Sequence, residues 1–145
     1  MDHRPFRVLG IHHVGLAPKA PSVTQHFLAN ILGLSAHEPE TIESQRIRCT
    51  QVNSLSDVRD PQPLLEILEP TSVDSPISKF LSERKGGIHH LALEVDDIHS
   101  AVTYLRTKQV TFLSEAPSPG SHGTQVIFVH PKDAGGILVE LVQRG

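Results

Sequence analysis

Residues 10–17 read Gly-Ile-His-His-Val-Gly-Leu-Ala, and residues 87–94 read Gly-Ile-His-His-Leu-Ala-Leu-Glu. Each half of the chain also closes on an apolar run that carries one carboxylate. Glu66 stands in Leu64-Leu65-Glu66-Ile67-Leu68, and Glu140 in Leu138-Val139-Glu140-Leu141-Val142. An ionised carboxylate taken out of water among aliphatic side chains costs several kcal/mol unless something pairs with it. A divalent cation is such a partner. Neutral imidazole nitrogen plus carboxylate oxygen, with no thiolate, suits cobalt, nickel, manganese, iron or zinc rather than a structural zinc finger. The donor set does not choose among those metals.

Adjacent residues of a strand point to opposite sides of the sheet, so the two members of each histidine pair cannot share a role. His90 shares its side with Ile88, Ala92 and Glu94, whereas His89 lies with Leu91, Leu93 and Val95. The larger aliphatics belong beneath a helix, which turns His90 the other way. By the same count His13 lies with Ile11 and Gly15, and His12 with Val14 and Leu16. In each strand one histidine therefore has a small neighbour and space in front of its ring. A lone histidine on a half-buried strand is ordinarily a satisfied core or edge residue, and a glutamate in an apolar strand often marks an exposed edge. Repetition is what lifts His13, Glu66, His90 and Glu140 above those readings; His12 and His89 keep a structural role.

Elements that could position this quartet also repeat. After the first histidine pair, Ser22-Val23-Thr24-Gln25 has the form of a capping box, followed by Val23, Phe27 and Ile31 at helical spacing up to Gly33. After the second, Asp97 is a candidate N-cap, followed by Ile98, Ala101, Val102 and Leu105 on one face. Each half reads strand, helix, then strands ending at the glutamate. The pattern predicts an α+β fold, a single domain of two tandem β-α-β-β-β modules at about residues 6–70 and 86–143. Between them Ser75-Pro76, Ile77, Phe80 and Leu81, closed by Gly86-Gly87, predict a short linking helix over residues 76–85. Residues 45–52 read as a strand, residues 53–63 and 116–123 as loops, and residues 131–136 as a turn before the last strand.

At 145 residues the chain fits one compact domain. A net charge of −3 gives no electrostatic reason to expect nucleic acid. No window approaches the roughly 18 consecutive apolar residues of a membrane span. One cysteine, Cys49, cannot form an internal disulfide, and its simplest reading is a small half-buried hydrophobe in a strand. A cytoplasmic location is the expectation.

Taken together, Gly-Ile-His-His-Val-Gly-Leu-Ala, residues 64–81 with their Asp74-Ser75-Pro76-Ile77, residues 86–102, and the His130-Pro131-Lys132 turn leading to the closing strand resemble the vicinal oxygen chelate superfamily. Within it they are most similar to the methylmalonyl-CoA epimerases. The resemblance implies paired β-α-β-β-β modules forming a curved, glyoxalase-like mixed sheet around a metal site. It implies one divalent metal per chain, often cobalt, held by His13, Glu66, His90 and Glu140, and a homodimer. It further implies an acyl-CoA thioester substrate whose α-proton, between a thioester carbonyl and a carboxylate, is removed to an enolate and returned on the other face. A base on each side of the enolate is the simpler scheme. Glu140 is the first candidate, and for the opposite face Glu66 stands beside a water or another residue as alternatives. Lys132 is a candidate contact for the CoA phosphates. The first half departs from the family in Arg46, where relatives commonly have glycine, and in Pro18, so the acyl group recognised is less securely implied than the chemistry.

Two other functions compete. A glyoxalase I-like lyase uses a comparable four-ligand site on a glutathione hemithioacetal. A metal-free antibiotic-binding module would have no need of four convergent donors and favours aromatic walls, whereas aromatics are 4% of this chain and tryptophan is absent. A dioxygenase site built on three protein ligands fits a fourth donor, Glu66, poorly.

Overall fold

The computed structural model describes residues 3–54 and 63–145, so the middle of the loop expected over residues 53–63 lies outside the described residues. The chain forms two compact units, His13–His89 and Met1–His12 with His90–Gly145.

In the His13–His89 unit, strand β1 (Val8–Ala17) runs parallel to β5 (Leu64–Pro70) over His13 to Leu16. β5 pairs antiparallel with β4 (Ile47–Asn53), whose far edge carries the short β2 (Ser35–Ala36) and β3 (Glu40–Ile42). Period-two alternation splits the apolar residues between the faces of this sheet. Val52 and Ile67 pack with Leu28 on one side; Cys49 and Leu68 pack with Ala17, Ile42, Ile47 and Ile77 on the other. Cys49 is thus fully buried rather than half-buried. Ile77 comes from helix α2 (Pro76–Glu83), where the Ser75 hydroxyl accepts from the Ile77 N–H at 3.2 Å and Pro76 opens the first turn, as its sequence predicts. The chain then needs Gly86: with φ +96°, a Cβ there would stand 2.8 Å from the Lys19 backbone nitrogen.

The segment after β1 departs from the expected helix. Helix α1 (Pro21–Gln25) starts at a proline after Ala20, with no side-chain cap, and continues as a π-helical turn over His26–Ile31. Ser22 lies inside the first turn, so the expected capping box does not form. The Leu32 N–H donates to Phe27 O at 2.9 Å, five residues back. That pitch changes the angular step per residue, so α-helical spacing no longer marks the buried face. Leu28 turns inward, while Val23, Phe27 and Ile31 remain 66%, 48% and 63% exposed. The strand expected from residue 45 also starts later. Glu43–Gln45 form a 3-10 turn and Arg46 takes a left-handed conformation, φ 54°, a position where glycine is least strained. Arg46 is held there by Asp74, at 2.7 Å between Nη1 and Oδ2, and by the Thr71 N–H donating to its carbonyl.

In the other unit, β6 (Gly87–Val95) runs parallel to β9 (Val139–Gln143), which pairs antiparallel with β8 (Gln125–Val129), and β8 carries β7 (Ser118–Pro119). This unit has the expected β-α-β-β-β order, whereas the first carries one more strand after its helix, because β2 and β3 both pair with β4. Helix α3 (Ile98–Thr107) begins at Asp97, whose carboxylate accepts from the Ser100 N–H at 3.0 Å. That bond, with a second from the Ser100 hydroxyl, holds the Asp97 carboxyl below the usual aspartate range. Ile98, Ala101 and Val102 seal the helix onto Ile127, Val129 and Leu141, and Phe6 joins this core edge-on to Tyr104.

Ile98 has no exposed surface. Ile98→Ala is expected to cost about 2–5 kcal/mol and lower the melting midpoint by roughly 5–15 °C in calorimetry. A fall of under about 2 °C would show that α3 does not hold this core together.

Candidate metal centre

Register, not proximity in sequence, brings a histidine to a glutamate. In the β1–β5 pair, His13 stands across from Leu64 and Gly15 across from Glu66. His13 and Glu66 are thus diagonal neighbours on one face, with Nε2 3.3 Å from Oε1. The β6–β9 pair repeats this arrangement: Ala92 stands across from Glu140, and His90 Nε2 lies 3.4 Å from Glu140 Oε1. The small neighbour read beside each histidine is the residue directly opposite each glutamate. It lets the longer imidazole lean along the strand towards the carboxylate.

Burial makes these contacts consequential. His13, Glu66, His90 and Glu140 are 3%, 4%, 5% and 3% exposed. Carboxylates that deep must be compensated. Both nitrogen–oxygen separations exceed the usual 2.9–3.0 Å of an N–H···O hydrogen bond. Two donors each about 2.1 Å from one ion, at angles of about 90–110°, stand roughly 3.0–3.4 Å apart. Each pair therefore suits two neighbouring ligands of one cation. His13 and Glu66 form such a pair in one unit, and His90 and Glu140 form its counterpart in the other.

The other members of the histidine pairs behave as strand parity predicts. His12 is buried, and His89 packs edge-on against Phe80 with ring centroids 5.1 Å apart. Lys132 is exposed in the turn Pro131–Ala134, three residues beyond Val129 of the Val129–Val139 rung and four from Phe128, Glu140's partner across β8 and β9. Its N–H donates to His130 Nδ1 at 3.1 Å. The same turn is pinned by Asp133, whose carboxylate accepts from the Thr111 N–H and hydroxyl and is thereby held below its ordinary range.

One residue of the site was not read from the sequence. Gln51 on β4 lies directly across from Glu66 and donates from Nε2 to Glu66 Oε2 at 2.9 Å. Its strand offers no carboxylate, and a search for ionisable ligands passes over an amide. The signal was available in parity: Gln51 lies on the same side as Ile47 and Cys49, and so interrupts an inward-facing row. At the corresponding place in the other unit, Phe128 stands across from Glu140, its ring edge-on to His90 with centroids 5.4 Å apart.

Comparison with known proteins now adds the lineage. Residues 12–128 match the model of the glyoxalase/bleomycin resistance protein/dioxygenase superfamily. The mitochondrial methylmalonyl-CoA epimerase of Bos taurus is 40% identical over 134 residues, which span 92% of this chain and 73% of the relative. The chain belongs to the methylmalonyl-CoA epimerase family. The crystal structure of methylmalonyl-CoA epimerase from Mycobacterium tuberculosis superposes with a TM-score of 0.87 at 31% identity, over 95% of this chain and 89% of that one. A methylmalonyl-CoA epimerase solved with methylmalonyl-CoA and NH4+ gives 0.87 at 32% identity, over 96% of each chain. The α+β, glyoxalase-like fold expected from the sequence is the epimerase fold. Among the described residues, no helix is long and apolar enough to cross a membrane.

Proposed function

We propose that this protein epimerises methylmalonyl-CoA, or a closely related acyl-CoA, by moving the α-proton through an enolate. The observation that carries the reading is the recurrence of one buried histidine–glutamate pair, in the same strand register, in both units. In this proposal His13, Glu66, His90 and Glu140 hold one divalent cation, with cobalt as the first candidate. When bound, the ion supplies Lewis acidity towards the thioester oxygen and the substrate carboxylate.

The protein's own residues do the rest. Glu140 takes the α-proton from one face, because a carboxylate beside the reacting carbon can act as general base and then return the proton. Glu66 is the candidate for the opposite face. Phe128, beside His90, keeps the surroundings of this pair apolar, which strengthens each charge interaction there. Lys132 sits on the exposed turn as the candidate contact for CoA phosphates. The same reading takes the chain to be a homodimer acting in the cytoplasm, and light scattering on the purified protein checks the assembly.

The decisive experiment follows deuterium entering the α-carbon of methylmalonyl-CoA in deuterated water, with cobalt, nickel, manganese and zinc added in turn. Complete exchange is expected with at least one metal, and no lactoylglutathione from methylglyoxal and glutathione. Turnover of the hemithioacetal without any α-proton exchange would replace this reading by a glyoxalase I-like one.

A further inference from the structure

The two glutamates are equivalent in register but not in company. Across from Glu66 stands Gln51, and across from Glu140 stands Phe128. A carboxylate can only accept, so the amide edge that meets Glu66 Oε2 at 2.9 Å is the NH2 edge. Glu66 Oε1 lies 3.3 Å from His13 Nε2. Glu66 therefore meets a different side chain at each oxygen, a hydrogen bond from Gln51 at Oε2 and the neighbouring His13 ring at Oε1. All three residues are buried, so water contributes little to satisfying these atoms. A phenyl ring at the matching position offers Glu140 no such donor. The duplication differs at this position, an amide facing one glutamate and a phenyl ring the other.

We propose that Gln51 is a positioning residue that fixes Glu66 as a single-oxygen metal ligand, through Oε1, and withholds it from proton transfer. This inference rests on the metal site of the preceding section and replaces Glu66 there as the base of the opposite face. The amide engages Oε2, so a second metal–oxygen bond from Glu66 competes with a charge-assisted hydrogen bond. The same bond opposes the rotation by which Glu66 would deliver a proton. The two carboxylates then divide the work, Glu66 as anchor and Glu140 as base, and the second base of a two-base reaction lies elsewhere. Outer partners of this kind orient ligands, and their loss commonly weakens metal binding by about 10–100-fold.

The test uses metal-stripped parent protein and two variants, Gln51→Leu, which removes the donor at similar volume, and Gln51→Ser, which leaves room for water and protects folding. Cobalt(II) alone is the probe. Its dissociation constant is measured by chelator competition, its coordination by visible absorption, and folding by the melting midpoint of the metal-free protein. The expected result is cobalt affinity weakened about 10–100-fold, with an altered absorption spectrum reporting changed coordination. For α-proton exchange, kcat falls while KM for methylmalonyl-CoA stays within about twofold. A lower melting midpoint with parent-like cobalt affinity and spectrum in a folded variant would make Gln51 merely structural and overturn the inference. Failure of the parent itself to take up stoichiometric cobalt would instead remove the metal site on which it rests.

Discussion

Glu140→Gln lowers α-proton exchange into methylmalonyl-CoA by about 10²–10⁴-fold, the usual contribution of a positioned general base. The substitution keeps the side chain's length and shape in β9, where Glu140 is 3% exposed and lies beside Val142 in a tightly packed row. It removes the charge and, at neutral pH, the capacity to accept the proton. Activity alone would confound a lost base with a lost ligand, so metal content and exchange are measured on the same preparation. The amide oxygen can still coordinate weakly, and saturating cobalt is expected to refill the site without restoring exchange. Glu140→Ala, which removes both functions, should lose exchange and bind cobalt still more weakly. Exchange within tenfold of the parent in the metal-loaded Glu140→Gln protein would remove Glu140 from the mechanism.

Parity and repetition made the two histidine–glutamate contacts legible. Each strand presents a histidine with a small residue two positions on, and the observed register sets those small residues, Gly15 and Ala92, opposite the glutamates. The linking helix and α3 were equally readable, since Ser75 and Asp97 carry cap chemistry that acts within three residues. Ser22 had the same letters but not the same setting: Ala20 takes the N-cap position and Pro21 begins the helix two residues earlier than a Ser22 cap would. A π-helical turn then changed the pitch by which Phe27 and Ile31 had been counted as inward. Gln51 was missed for a chemical reason, because a search for ionisable groups passes over a neutral amide that hydrogen-bonds to one of them. Phe6 was missed for a topological one. It lies at the start of the first module in sequence, yet it packs with Val95, Ile98 and Tyr104 and so belongs to the unit of Met1–His12 with His90–Gly145, and periodicity within ten residues carries no information about so distant a partner.

Removing the divalent cation is expected to cost both activity and stability, and the two losses should share one concentration dependence. Glu66 and Glu140 are buried with their histidines, so the metal-free protein holds compact negative charge that the cation otherwise offsets. A ligand that binds only the folded state adds about 4.1 kcal/mol when present at about 1,000 times its dissociation constant. For a chain of this size that raises the melting midpoint by roughly 10 °C. Exchange should fall at least about 100-fold after chelation and return as cobalt, manganese, nickel or zinc is titrated back. Magnesium, which favours oxygen donors and retains its waters, should restore little at a site where two donors are imidazoles. His13→Ala and His90→Ala each remove one of those imidazoles and should weaken cobalt binding to a similar degree, since the pairs are equivalent by register. A chelated protein with unchanged melting midpoint and unchanged exchange would show that the four buried side chains serve neither as ligands nor as the support of the reaction.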